Sequence, residues 1–198
     1  MRKVLFLISH LFSGSSFLFD SLEQNPKIQG FRTNMIYDDP GKLLQLTKLK
    51  HKLNNRAAIY LEEVLFNHVI TCKDLYNYCK FIYVIREPEP VLNALVGFKT
   101  YPANCAVRHY CYRLRRICEM AKRTPGAVFL TWEDLKLGRG DSLIENYLDL
   151  KETLKTNTDL FVTPPKRDNL LSFEQMQWAS RCYEKHLYFL KQQNLIRS

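Results

Sequence analysis

Apolar residues along this chain fall into short runs separated by segments with a helical period. The first run, residues 4–8, leads into Ser13-Gly14-Ser15-Ser16, after which Phe17, Leu18, Phe19 and Leu22 resume the apolar pattern. Leu18 and Leu22 lie four apart while Asp20, Glu23 and Gln24 can face water, so the spacing predicts a strand, a small-residue turn and an amphipathic helix ended by Pro26. Runs at 57–61, 81–85 and 127–131 have the length and β-branched or aromatic content of buried parallel strands. Helical patterns at 42–54, 71–79, 90–98 and 105–123 separate them. In the last of these, Val107, Tyr110, Cys111, Leu114, Ile117, Cys118 and Ala121 define one apolar face, with Arg108, Arg115, Arg116, Lys122 and Arg123 mainly on the other. Thr71 with Asp74 and Ser142 with Glu145 read as helix starts, and Ser172 with Gln175 as a capping box for a final helix to about Gln192. Strands alternating with helices predict an α/β fold, one domain over residues 1–198 with a central parallel sheet flanked by helices.

Composition narrows the setting. The start could be read as a secretory leader, with Arg2 and Lys3 before an apolar stretch, but His10 interrupts it and no Ala-x-Ala-like site follows. No stretch is long enough to span a bilayer, so a soluble, cytoplasmic protein without a membrane partner is expected. The six cysteines, Cys72, Cys79, Cys105, Cys111, Cys118 and Cys182, form no C-x-x-C pair and no zinc spacing, which predicts free thiols in a reducing compartment and no metal. A net charge of +9 admits an anionic partner. The basic helix reads as a solvated face rather than a nucleic-acid surface.

In parallel sheets ligands bind at the carboxyl ends of the strands, here 9–17, 62–68 and 86–93. A helix beginning after Gly14 would aim backbone N–H groups from Ser13 to Phe17 at one anion, with Ser15 and Ser16 adding hydroxyls. The turn is not a Walker A loop, since no Lys follows Gly14, nor a G-x-S-x-G elbow. Arg86 ends the third run ahead of Glu87-Pro88, where its guanidinium can grip a phosphate with two prongs.

Ser13-Gly14-Ser15-Ser16 and Arg86-Glu87-Pro88 together resemble the S-G-[TS]-[TS] loop and the R-[DN]-P strand end of the sulfotransferases that use 3′-phosphoadenosine 5′-phosphosulfate (PAPS). Residues 129–135, FLTWEDL, resemble that family's Y-E-D-L strand, and the closing helix with Trp178 and Tyr183 resembles its last helix. The resemblance implies a P-loop-NTPase-like sulfotransferase fold, PAPS as donor, the desulfonated nucleotide PAP as product, and no metal. It implies Ser13, Gly14, Ser15, Ser16 and Phe17 at the 5′-phosphosulfate, Arg86 at the 3′-phosphate and Trp132 near the adenine. Lys166 and Arg167, after Pro164-Pro165, resemble the basic loop that closes over the nucleotide.

Two positions depart from the pattern. The family's Lys or Arg before the S-G pair is Phe12 here, leaving His10, Lys166 or Arg167 to supply the charge, and its second 3′-phosphate ligand, a Ser, is Ala94, beside which Asn93 can substitute. Transfer to a hydroxyl or amine, with a carbohydrate among the acceptor classes, needs a base. Glu62 is the candidate, on the same side of its strand as Tyr60 and opposite Glu63, and His68 is the runner-up. The acceptor pocket is expected from residues 30–42 and 101–108. The competing readings are a nucleotide-binding protein of this kind that has lost catalysis, and a nucleic-acid-binding domain built on 108–123.

Overall fold

The computed structural model describes residues 3–31, 58–65, 73–150, 154 and 170–192. In chain order the elements are β1 (Lys3–Ser9), α1 (Ser15–Glu23), β2 (Ile28–Phe31), β3 (Ile59–Val64), α2 (Lys73–Tyr78), β4 (Cys79–Ile85), α3 (Pro88–Gly97), α4 (Ala103–Ala121), β5 (Val128–Thr131), α5 (Trp132–Lys136), α6 (Asp141–Leu148) and α7 (Phe173–Gln192). The strands form one sheet in the order β2-β3-β1-β4-β5, every pairing parallel. The expected α/β architecture is therefore observed.

Helices cover both faces, so the strands must be apolar on both, and this is why they read as continuous runs rather than alternations. On one face Leu5, Leu7, Leu61 and Val84 meet Leu18 and Leu22 of α1. On the other, Phe6, Ile8, Tyr83 and Phe129 meet Leu95 of α3 and Tyr110 and Leu114 of α4. The Tyr83 and Phe129 rings stack at 4.6 Å across β4 and β5. Each fully buried side chain of this size contributes about 1.5–3 kcal/mol.

Some boundaries differ from the sequence reading. Strand β3 runs to Val64 because Glu62 and Glu63 are buried in it, although adjacent charges look like a strand end. The edge strand β2 was not anticipated: it has four residues, including Gln29 and Gly30, and among the described residues it pairs only with β3. A Cβ on Gly30 would fall 2.5 Å from the Phe19 ring, so a side chain there would push β2 off α1.

Ser142 does not cap a helix. Helix α6 starts from Gly140, where a Cβ would sit 2.9 Å from Leu130, and the Glu145 carboxylate accepts instead from the Leu154 amide at 2.6 Å. The Ser172–Gln175 box forms as expected, Ser172 N–H donating to Gln175 at 2.8 Å and Gln175 N–H to the Ser172 hydroxyl at 3.2 Å. A second box, Thr131 with Asp134, opens α5. The helical pattern at 42–54 and the Thr71 start lie outside the described residues. No described helix is long and apolar enough to cross a membrane.

Candidate nucleotide site

The β1–α1 turn is held in a strained shape by its neighbours. Phe12 and Gly14 both take positive φ, 59° and 93°. Ser13 N–H closes the turn onto the His10 carbonyl at 3.2 Å. Gly14 has no alternative residue: besides its φ, a Cβ would lie 2.2 Å from the Trp132 ring. Helix α1 begins at the next residue, so its leading amides and the positive end of its dipole face the turn. Ser13 is 1% exposed, and among the described residues its hydroxyl has no hydrogen-bond partner. A buried hydroxyl without a partner costs about 1–3 kcal/mol, a cost that a bound anion would remove.

Arg86 reaches the same turn from β4. Its Nη1 donates to the Phe12 carbonyl at 3.3 Å, its guanidinium lies 4.2 Å from the centre of the Trp132 ring, and Nε stands 3.6 Å from the Glu87 carboxylate. Desolvation lowers its pKa, with Glu87 opposing, and an arginine so placed stays charged. The backbone around it is fixed too: Tyr110 of α4 donates to the Arg86 carbonyl at 2.6 Å, and Arg86 N–H donates to His10 Nε2 at 3.0 Å. Strand ends, turn and α5 thus bring Ser13, Gly14, Arg86 and Trp132 together.

His10 does not supply the missing cation. Its Nδ1 donates to the Leu11 carbonyl at 3.0 Å while Nε2 accepts from Arg86, so the ring is the neutral Nδ1–H tautomer. Burial lowers its pKa from 6.5 to about 3. Phe12 itself is 37% exposed and stacks on Phe98 with centroids 5.6 Å apart.

The two glutamates divide across the sheet. Glu63 faces the turn, accepting from the Ser15 hydroxyl at 2.7 Å and from Ser16 at 3.2 Å, while Ser9 donates to Ser15 at 2.7 Å. Among the described residues no cation pairs with it. Glu62, buried and in register with Phe6 and Phe31, lies on the opposite face of β3. Asn93 sits half-buried in α3 beside the fully buried Ala94. Trp132 is buried, with Gly14 and Arg86 already against its ring. His68, Lys166 and Arg167 lie outside the described residues.

Arg113 was missed by the sequence reading. Fully buried, it donates from Nε to the Ser9 carbonyl at 2.8 Å and from Nη2 to the Val64 carbonyl at 2.9 Å, tying the carboxyl ends of β1 and β3 beneath the turn. Desolvation lowers its pKa to about 9, which still leaves it protonated at neutral pH. A signal was present: position 113 falls between Tyr110, Leu114 and Ile117 on the apolar face of α4. The role of Glu63 had no such signal, because it depends on tertiary placement.

No protein-family model matches the sequence, and no curated protein matches it. Solved structures do. Mouse sulfotransferase SULT7A1 complexed with PAP aligns over 94% of this chain and 85% of its own, with a TM-score of 0.62 and 14% identity. Retinol dehydratase in complex with androsterone and inactive cofactor PAP aligns over 99% of this chain and 68% of its own (TM-score 0.43, 15% identity), and its complex with retinol and PAP over 98% and 68% (0.40, 15%). The chain shares the α/β fold of the mouse sulfotransferase.

Proposed function

We propose that this protein is a sulfotransferase that binds PAPS and transfers its sulfuryl group to a hydroxyl or amine, with a carbohydrate among the acceptors to be tried. The observation that carries the reading is the convergence of Arg86 on the β1–α1 turn beside the Ser13 hydroxyl, which has no partner among the described residues. When bound, the nucleotide supplies a sulfuryl group on a phosphate oxygen. Ser13 to Phe17 hold its 5′ end through hydroxyls and amides, and Arg86, with Asn93 in support, holds the 3′-phosphate. Trp132 orients Arg86 and borders the adenine. Glu62 takes the acceptor proton, with His68 as the alternative, and Lys166 and Arg167 supply the positive charge that Phe12 does not.

A second reading is favoured by one observation: the Ser15 and Ser16 hydroxyls are already spent on Glu63. Together with Phe12 this fits a protein that binds the nucleotide and no longer transfers. Thermal stabilisation by PAP tests binding, and turnover with radiolabelled PAPS against sugars, phenols and amines separates the two readings. Absence of stabilisation by PAP overturns both.

A further inference from the structure

The face between α4 and α7 carries a thiol cluster that the chemistry above does not use. Cys111 on α4 and Cys182 on α7 are both half-buried, and Cys182 Sγ donates to the Cys111 carbonyl at 3.8 Å. One turn along α7, His186 Nδ1 donates to the Cys182 carbonyl at 2.7 Å and lies 3.6 Å from its sulfur. Two cysteines on facing helices with an imidazole against one of them form an arrangement that a purely packing role does not require.

We infer that Cys182 and Cys111 form a reactive dithiol site that takes a two-electron oxidant of the peroxide class and closes into a disulfide joining α7 to α4. The cluster assigns the two sulfurs different parts. His186 Nδ1–H lies 3.6 Å from the Cys182 sulfur, where it can hold a thiolate, so Cys182 is the attacking thiolate and Cys111 keeps its proton until the second step. The neighbouring Cys111 thiol and His186 lower the Cys182 pKa against its burial.

Cys182 releases its proton to water, and the thiolate, facing the His186 Nδ1–H, attacks one oxygen of hydrogen peroxide. The O–O bond breaks, the departing hydroxide takes up the proton released to solvent and leaves as water, and a sulfenic acid remains on Cys182. The Cys111 sulfur then attacks that sulfur; the S–O bond breaks and a second water leaves carrying the Cys111 proton. Two thiols are oxidised and one peroxide is reduced to two waters. The new bond would fix α7 to the helix that holds Arg86 through Tyr110 and the strand ends through Arg113.

The test uses the full chain, reduced and then exposed to a small excess of hydrogen peroxide, with peptide masses read after the remaining thiols are blocked with maleimide. A peptide joining Cys111 to Cys182, reversed by dithiothreitol, is the expected result. Without peroxide, limiting maleimide should label Cys182 ahead of the exposed Cys105, and His186→Gln should slow that labelling by about fivefold or more. In Cys111→Ser a sulfenic acid should persist on Cys182 and be trapped by a cyclic 1,3-diketone. Absence of the linked peptide from the oxidised natural chain overturns the inference, as does labelling of Cys105 before Cys182. Because these readouts are made on the natural chain, misfolding of a variant cannot mask them.

Discussion

The Ser15 hydroxyl donates to the Glu63 carboxylate at 2.7 Å, which sets an acidic side chain against the turn whose amides face the candidate anion site. Ser16 donates to the same oxygen at 3.2 Å. Each hydroxyl has one hydrogen to give, so both are committed to Glu63 and neither can donate to a phosphate until that carboxylate yields. Helix-end amides and the Ser13 hydroxyl are left to greet an incoming anion, and Glu63 opposes it.

Neutralising Glu63 should therefore improve nucleotide affinity. Glu63→Gln removes a unit charge a few ångströms from the anion site, worth about 1–3 kcal/mol at the effective dielectric of a partly buried pair. Calorimetry with PAP should show binding about tenfold tighter. Equal or weaker binding by a variant of unchanged melting temperature would mean that the carboxylate organises the hydroxyls for the ligand rather than occupying them.

Arg86 makes the opposite contribution. Losing a charge-assisted hydrogen bond costs about 1.5–3 kcal/mol, so Arg86→Ala should weaken PAP by about tenfold or more. An analogue without the 3′-phosphate should bind both forms alike, which separates a lost contact from a disturbed turn. Melting should also fall modestly, since the guanidinium packs on Trp132 at 4.2 Å. Unchanged PAP affinity would remove Arg86 from the site.

How far the sequence reveals these features follows from their physics. Four of the five described strands are legible because burial on both faces leaves long apolar runs, whereas β2 has four residues and a glycine and is defined by pairing alone. The turn and Arg86 are legible because an anion cradle demands small residues at a helix start and a guanidinium at a strand end. Arg113 is hidden among the other basic residues of α4, and only the helical phase distinguishes it as buried. Alternation separates Glu62 from Glu63 correctly, but which face of β3 meets the Ser15 hydroxyl is fixed by the packing of α1 on the sheet. The close approach of Trp132 to Gly14 joins residues 118 positions apart and leaves no local trace.

His10 predicts an acid-sensitive fold. Its pKa is about 3 in the folded chain against 6.5 as the ordinary value, so between these limits the unfolded chain binds a proton that the folded chain does not. Stability from this residue is complete above pH 6.5 and falls as the pH drops toward 3. At about 1.4 kcal/mol per unit, acidification by two units below the ordinary value removes about 3 kcal/mol. Urea unfolding at several pH values should show this slope in the natural chain and a shallower one in His10→Gln. Identical slopes would remove His10 as its source.

Phe12→Lys restores a cation at the turn. Both side chains bear a Cβ, so the positive φ of 59° costs the variant nothing new, and the 37% exposure of Phe12 leaves an ammonium access to water. The stack on Phe98 is lost, at a cost of about 0.5–1.5 kcal/mol. A cation beside the leaving oxygen stabilises charge that develops mainly in the transition state, so turnover with labelled PAPS should rise by about tenfold or more, or appear where the natural chain has none. No change, with folding and PAP affinity intact, would mean that another cation already fills this part.

The pair at the end of β3 gives the sharpest test of the proposed chemistry, because the two adjacent carboxylates occupy opposite faces. If Glu62 takes the acceptor proton, Glu62→Gln should lower single-turnover transfer by about a hundredfold or more while PAP affinity holds. Glu63→Gln should shift affinity and leave transfer per bound nucleotide within a few-fold. Swapped results would assign the proton to Glu63, whose bonds to Ser15 and Ser16 would then couple base and cradle. Near-normal transfer by both variants would move the assignment to His68, with His68→Gln as the next measurement. Melting temperatures on the same preparations separate these outcomes from simple loss of fold, since both carboxylates are buried and a glutamine in either place must find new partners.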